Sequence, residues 1–189
     1  MKVIEYEERV LISQSDYEKV IEDMKLSNLP TTKFSIENIY LDNEEKIIRK
    51  SGWMLRIRTI NNSRKELTLK VKNPDNSAIE INETLDHHPE IDKYLNNDFN
   101  SFKEITKLTT ERIEVTFDDY LLVIDKNSYS SIVDYDIEIE SDNQEKSKKI
   151  IRFYCEKYGL TYDSDYKTKS FRAFQALEKQ SKRKEAHFN

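Results

Sequence analysis

The chain has 189 residues, with 31 basic and 36 acidic side chains and a formal net charge of −5. That length suits one domain, or two at most, and the acidic balance speaks against non-specific nucleic-acid binding. One cysteine excludes a disulfide framework and a cysteine-based zinc cluster, two glycines leave little material for a phosphate-cradling loop, and no apolar run approaches the ~18 residues of a membrane helix.

Alternation with period two dominates, so strands come first. Residues 3–12 read as a strand, followed by overlapping capping signals at Ser13-Asp16 and Ser15-Glu18. The helix that follows, to about Lys25, places Tyr17, Val20, Ile21 and Met24 on one face. Residues 33–42 form a second strand, and a turn at Asn43-Glu44-Glu45 leads into a short helical or irregular piece. Residues 53–60 and 65–72 make a hairpin around Asn61-Asn62-Ser63-Arg64, and 78–85 a fifth strand. Residues 88–102 are polar and helical in part. Three alternating runs follow at 107–117, 120–127 and 132–140. Residues 144–158 are an amphipathic helix with Ile150, Ile151, Phe153, Tyr154 and Tyr158 as its apolar face, ended by Gly159. Residues 166–178 continue as strand or helix. The expected organisation is one domain over 1–178 and a charged, fraying tail over 179–189. Mainly β, this is a large antiparallel sheet, open with one wet face or closed into a barrel.

Side chains at i and i+2 share a face of a strand. Glu5, Glu7 and Arg9 therefore go together, as do Arg56 with Arg58, Lys70 with Lys72, Arg112 with Glu114, and Asp134, Asp136, Glu138 and Glu140. Glu80 stands on the fifth strand, Asp125 on the seventh, and Lys167 and Lys169 lie two apart near the C-terminus, with Arg172 three further on. The usual meaning of such alternation is a solvated face. Sign argues otherwise, because acids concentrate on the first, fifth and last strands while the third and fourth carry only cations on that face. If the edges pair, Glu5, Glu7, Glu138 and Glu140 cluster opposite a group of Arg and Lys. Clustered carboxylates need a counter-charge, and an oxygen-only set suits Mg²⁺ or Mn²⁺. The facing guanidinium and ammonium groups suit a polyanion, and the two together point to metal-assisted attack on a phosphoanhydride. Glu114 is expected to pair with an arginine. Glu111 and Lys126 fall outside, His87-His88 form a surface pair, and Cys155 and Trp53 pack in the core.

Glu5-Tyr6-Glu7-Glu8-Arg9 resembles the ExExK signature of the CYTH superfamily, the triphosphate tunnel metalloenzymes. The similarity continues in order through Tyr40-Leu41-Asp42, Leu55-Arg56-Ile57-Arg58, Thr68-Leu69-Lys70, Glu80, Glu111-Arg112, Asp125, Glu138-Ile139-Glu140 and Lys167-Thr168-Lys169-Ser170, covering about residues 3–172. The spacing is most similar to the small CYTH proteins of Gram-positive bacteria. The resemblance implies a closed eight-stranded antiparallel barrel, a tunnel, with helices packed outside. It implies metal-dependent processing of triphosphates, with Glu5, Glu7, Asp125, Glu138 and Glu140 holding Mg²⁺ or Mn²⁺. It also implies Arg9, Arg56, Arg58, Lys70, Lys72, Arg112, Lys167 and Lys169 on the phosphates, and Glu5, Glu7, Arg9 and Lys70 as the catalytic set.

Two departures bear on function. Arg9 stands where the superfamily has lysine, and arginine cannot give up a proton at working pH. Trp53 lies three residues before Arg56, whereas thiamine triphosphatases resemble one another in a tryptophan two before; parity sends Trp53 to the outer face. The expected activity is hydrolysis of inorganic triphosphate or a small organic triphosphate. A class IV-type adenylate cyclase and a non-catalytic nucleotide- or polyphosphate-binding module are the alternatives. No signal-peptide pattern opens the sequence, so the expected protein is cytoplasmic, a monomer or homodimer, without membrane or sequence-specific nucleic-acid partners.

Overall fold

A computed structural model of the chain describes residues 2–72, 78–96, 98–163 and 165–187. Among the described residues eight strands are formed: β1 Lys2–Ile12, β2 Thr32–Asp42, β3 Met54–Ile60, β4 Arg64–Lys72, β5 Ala78–Glu83, β6 Lys103–Thr116, β7 Leu121–Tyr129 and β8 Ile132–Ser141. The helices are α1 Gln14–Leu26, α2 Ile47–Lys50, α3 Pro89–Tyr94, α4 Gln144–Tyr158 and α5 Lys169–His187.

Local chemistry explains the boundaries. The Ser13 hydroxyl accepts from the Asp16 N–H at 3.1 Å and starts α1. Asn143 does the same for α4 through the Lys146 N–H, and Gly159, at φ +69°, ends it in the left-handed region. Asn61 and Asn62, at φ +49° and +55°, supply the two left-handed residues of a tight hairpin turn between β3 and β4. The segment 166–178, open between strand and helix by sequence, is helical from Lys169, and α5 continues past Gln180 to His187.

Every strand pairing is antiparallel, in the order β1-β5-β4-β3-β2-β6-β7-β8 with β1 closing the ring of ladders. Among the described residues β1 pairs with β5 over Lys2–Glu5 and with β8 over Tyr6–Ile12, so the eight strands form a curled antiparallel sheet whose ladders run in a ring.

Two apolar clusters lie on the outer side of this sheet, and a third, of Tyr40, Leu108, Tyr129, Ala173 and Ala176, packs where α5 meets it. Val10, Val115, Leu122, Ile124, Ile137 and Ile139 meet Val20 and Met24 of α1 and Ile151 and Tyr154 of α4. Leu41, Leu55, Leu67, Leu69 and Ile81 meet Ile48 of α2 and Ile91 and Leu95 around α3. Apolar residues of one parity thus pack outward beneath helices. The opposite parity, which carries the charges, faces a polar interior.

Candidate active site

The strands enclose a cavity of about 880 Å³. Its lining includes Glu7, Arg9, Arg56, Arg58, Lys70, Lys72, Glu80, Arg112, Glu114, Glu138, Glu140 and Lys169, so most of the charged residues singled out in the sequence converge there. Register explains the convergence: Glu7 stands opposite Glu140, Arg9 opposite Glu138, Lys70 opposite Glu80 and Arg112 opposite Asp125.

The cations of this interior fall into two groups. Arg9 and Arg112 are paired with carboxylates. Arg9 pairs with Glu7 and Glu138. Arg112 grips both oxygens of Asp125, at 3.0 and 2.8 Å, and reaches Glu138 at 3.1 Å. Burial works against both guanidinium charges, yet Glu138 and Glu7 around Arg9, and Asp125 and Glu138 around Arg112, raise them well above the ordinary arginine value. Arg58 is the opposite case. Burial, and then the neighbouring Arg56, push it down to about 10, and its nearest carboxylate, Glu66, stands at 4.0 Å. An arginine with that surplus of positive surroundings is one that an incoming anion would stabilise.

Lys70 bridges the two groups, 3.1 Å from Glu7 and 4.0 Å from Glu80. Burial would raise the Glu80 carboxyl, but Arg56, Lys70 and Arg58 outweigh it and hold it at about 2. Glu7 is likewise lowered, with Arg9 and Lys70 overcoming burial.

Beneath the acidic wall, oxygens of Asp125, Asp136 and Glu138 lie within 4.8 Å of one another. Lys169, the first residue of α5, is inserted among them. It pairs with Asp125, with Glu138 at 2.7 Å and with Asp136 at 3.5 Å. One turn later Arg172 binds Asp136 at 2.6 Å and Asp134 at 2.8 Å. Burial lifts Asp136 to about 6 against the pull of Lys169, while Arg9 and Lys169 outweigh burial at Glu138 and hold it well below the carboxylate range.

Several expected residues stand elsewhere. Lys167 is exposed, outside the cavity lining, with its ammonium 5.8 Å from the Phe171 ring. The strand reading of 166–178 placed Lys167 and Lys169 on one face, whereas the helix starts between them. Asp125 is completely buried and does not line the cavity. The backbone of Glu5 pairs with Ala78, and its side chain lies outside the described residues. Lys72 is exposed at the cavity rim. Glu114 pairs with Arg112 at 3.5 Å, and Glu111 with Lys126 at 2.8 Å on the outer surface.

Trp53 packs edge-on against Tyr94 in the outer core, as expected, but it also lines the cavity. It precedes β3, so strand parity does not govern it. His88 is not an ordinary surface residue: its Nδ1 lies 2.8 Å from Asp92, and its ring rests on Phe99. Cys155 is buried in the outer core. The sequence reading left Asp136 out of the site, although it lies in the same alternating series as Glu138. It also left out Tyr166, whose ring lines the cavity 5.6 Å from the Arg9 guanidinium carbon.

An antiparallel sheet curled around a charged bore, with its apolar core outside beneath helices, defines the tunnel class of phosphate-handling folds. The CYTH domain model matches residues 3–171, and the chain belongs to the CYTH family. No curated protein matches it in sequence. Among solved structures it is similar to a candidate adenylate cyclase from Bacillus halodurans (TM-score 0.77, 22% identity, covering 92% of this chain and 98% of that one). It is similar also to HpAC1 from Hippeastrum, a candidate adenylyl cyclase with a dominant triphosphatase activity (TM-score 0.69, 19% identity, 93% and 96% covered). A third is the PH1819 protein from Pyrococcus horikoshii (TM-score 0.60, 24% identity, 93% and 98% covered). At these identities the likeness concerns the fold.

Proposed function

We propose that this chain is a divalent-metal-dependent triphosphatase, hydrolysing inorganic triphosphate or a small organic triphosphate within the bore. The observation that carries this reading is the division of the cavity: a wall at Arg56 and Arg58 short of negative charge faces a wall at Glu7, Glu138 and Glu140. A triphosphate supplies the missing anions, and arginine takes phosphate oxygens in bidentate fashion.

The donor chemistry fits a hard cation, because the acidic wall offers only carboxylate oxygens. Glu7, Glu138 and Glu140 would hold it, joined by Glu5 of the same strand face. Asp125, unlike Glu138, does not line the cavity and is held by Arg112 and Lys169, so it serves as an anchor for cations before it serves as a ligand. When bound, Mg²⁺ or Mn²⁺ would neutralise phosphate oxygens and make the bridging phosphoanhydride a better target for water.

Arg56, Arg58 and Lys70 orient the phosphate chain, and Lys72 guides it at the rim. Arg9 has its Nε and Nη1 groups buried without an acceptor. Such groups are costly unless a ligand oxygen completes them. Arg9 therefore holds charge and position but transfers no proton, which leaves protons to water.

The test is phosphate release from tripolyphosphate with Mg²⁺ or Mn²⁺, wild type against Glu7→Gln. Orthophosphate release that depends on metal and drops in the variant supports hydrolysis. Pyrophosphate with cyclic AMP from ATP identifies cyclisation instead, and tight binding without turnover identifies a binding module.

A further inference from the structure

Glu7 and Arg9, which the proposed site uses, lie on the half of β1 that pairs with β8. Two tyrosines between α4 and α5 reach that half of the strand. The Tyr162 hydroxyl donates to Glu8 Oε2 at 2.7 Å on the outer parity of the strand. Four residues on, the Tyr166 hydroxyl donates to the Glu7 carbonyl oxygen at 3.1 Å. The Tyr166 ring meanwhile lies 5.6 Å from the Arg9 guanidinium carbon.

These contacts do two separate things. The hydroxyl fixes the backbone from which the Glu7 carboxylate projects. The ring lies against the Arg9 guanidinium, whose Nη2 is taken by Glu7 and Glu138 and whose Nε and Nη1 still lack acceptors.

We infer that Tyr166 is a positioning residue of the proposed triphosphate reaction: its hydroxyl on the Glu7 backbone and its ring on the Arg9 guanidinium aim the Glu7–Arg9 pair into the cavity. The inference rests on the triphosphatase reading for its substrate, and its test separates the two. A displacement near 1 Å at a reacting group can cost up to about a hundredfold in rate.

The experiment compares wild type, Tyr166→Phe and Tyr166→Leu in tripolyphosphate hydrolysis with Mg²⁺ or Mn²⁺, and in tripolyphosphate binding by calorimetry. Circular dichroism scales each rate to folded protein. Loss of the ring is expected to lower kcat about tenfold or more in Tyr166→Leu, with KM changed less than about threefold. Tyr166→Phe, which keeps the ring, restores most of that rate. A Tyr166→Leu protein with wild-type kcat per folded molecule overturns the inference, as does equal loss in both variants that only follows the folded fraction. If wild type binds tripolyphosphate but releases no phosphate, the hydrolytic reading fails. Tyr166 is then judged by affinity, where at least about fivefold weaker binding in Tyr166→Leu upholds the positioning role and unchanged binding removes it. Wild type that neither binds nor hydrolyses takes down both.

Discussion

Glu80 offers a stability measurement on the cationic wall. Burial would raise its carboxyl, but Arg56, Lys70 and Arg58 overcome that and hold it at about 2, against an ordinary 4.5. A depressed carboxylate contributes stability that is fully present above 4.5 and is lost as pH falls through about 2. Glu80→Gln reproduces the shape of the protonated acid. At about 1.4 kcal/mol per tenfold, the gap between those values makes the substitution cost about 3 kcal/mol at pH 7. The same linkage shrinks the cost to about 1 kcal/mol at pH 3. For a chain of this size, about 3 kcal/mol corresponds to a melting shift of about 6–12 °C. Urea unfolding followed by circular dichroism at the two pH values measures both numbers. A penalty that stays constant with pH, or vanishes at pH 7, would refute the view that three cations are confined around this one acid.

Three other substitutions separate structural from ligand-binding charges. Arg58→Leu removes a cation already pushed down to about 10, so the melting temperature should hold or rise while KM for tripolyphosphate increases about tenfold or more; a destabilised protein with unchanged KM would show that Arg58 is structural. Lys169→Met strips the ammonium from Asp125, Asp136 and Glu138 and should cost about 3–5 kcal/mol in urea unfolding, so a variant as stable as wild type contradicts the anchoring role of α5. Glu140→Gln changes a cavity-facing acid whose side chain is 24% exposed, so stability should move by less than about 1 kcal/mol. Metal activation of phosphate release should instead need at least about tenfold more Mg²⁺ or Mn²⁺, and an unchanged metal titration removes Glu140 from the metal-holding set.

Much of this architecture was legible because period-two alternation is a strong signal where one face is buried and the other is wet. The rows Arg56–Arg58, Arg112–Glu114 and Glu138–Glu140 could each be assigned to one strand face from parity, and Ser13 and Gly159 mark helix ends that the structure keeps. Parity failed where a residue leaves the strand. Trp53 precedes β3 and Lys167 precedes α5, so neither obeys the alternation applied to it. On the first turn of α5 Lys169 and Arg172 share a face, and both reach Asp136. The contacts of Tyr166 with Glu7 and Arg9 join segments far apart in the chain, and no local pattern encodes them.

The central claim is that triphosphate seats between a cation wall short of counter-charge and an acidic wall able to carry metal. A crystal structure of the protein with tripolyphosphate and Mn²⁺ tests it most directly. Phosphate oxygens within hydrogen-bond distance of Arg56 and Arg58, with the metal on Glu7, Glu138 or Glu140, are the expected result. Tripolyphosphate bound outside the bore, or a metal seated away from those three glutamates, would contradict the account.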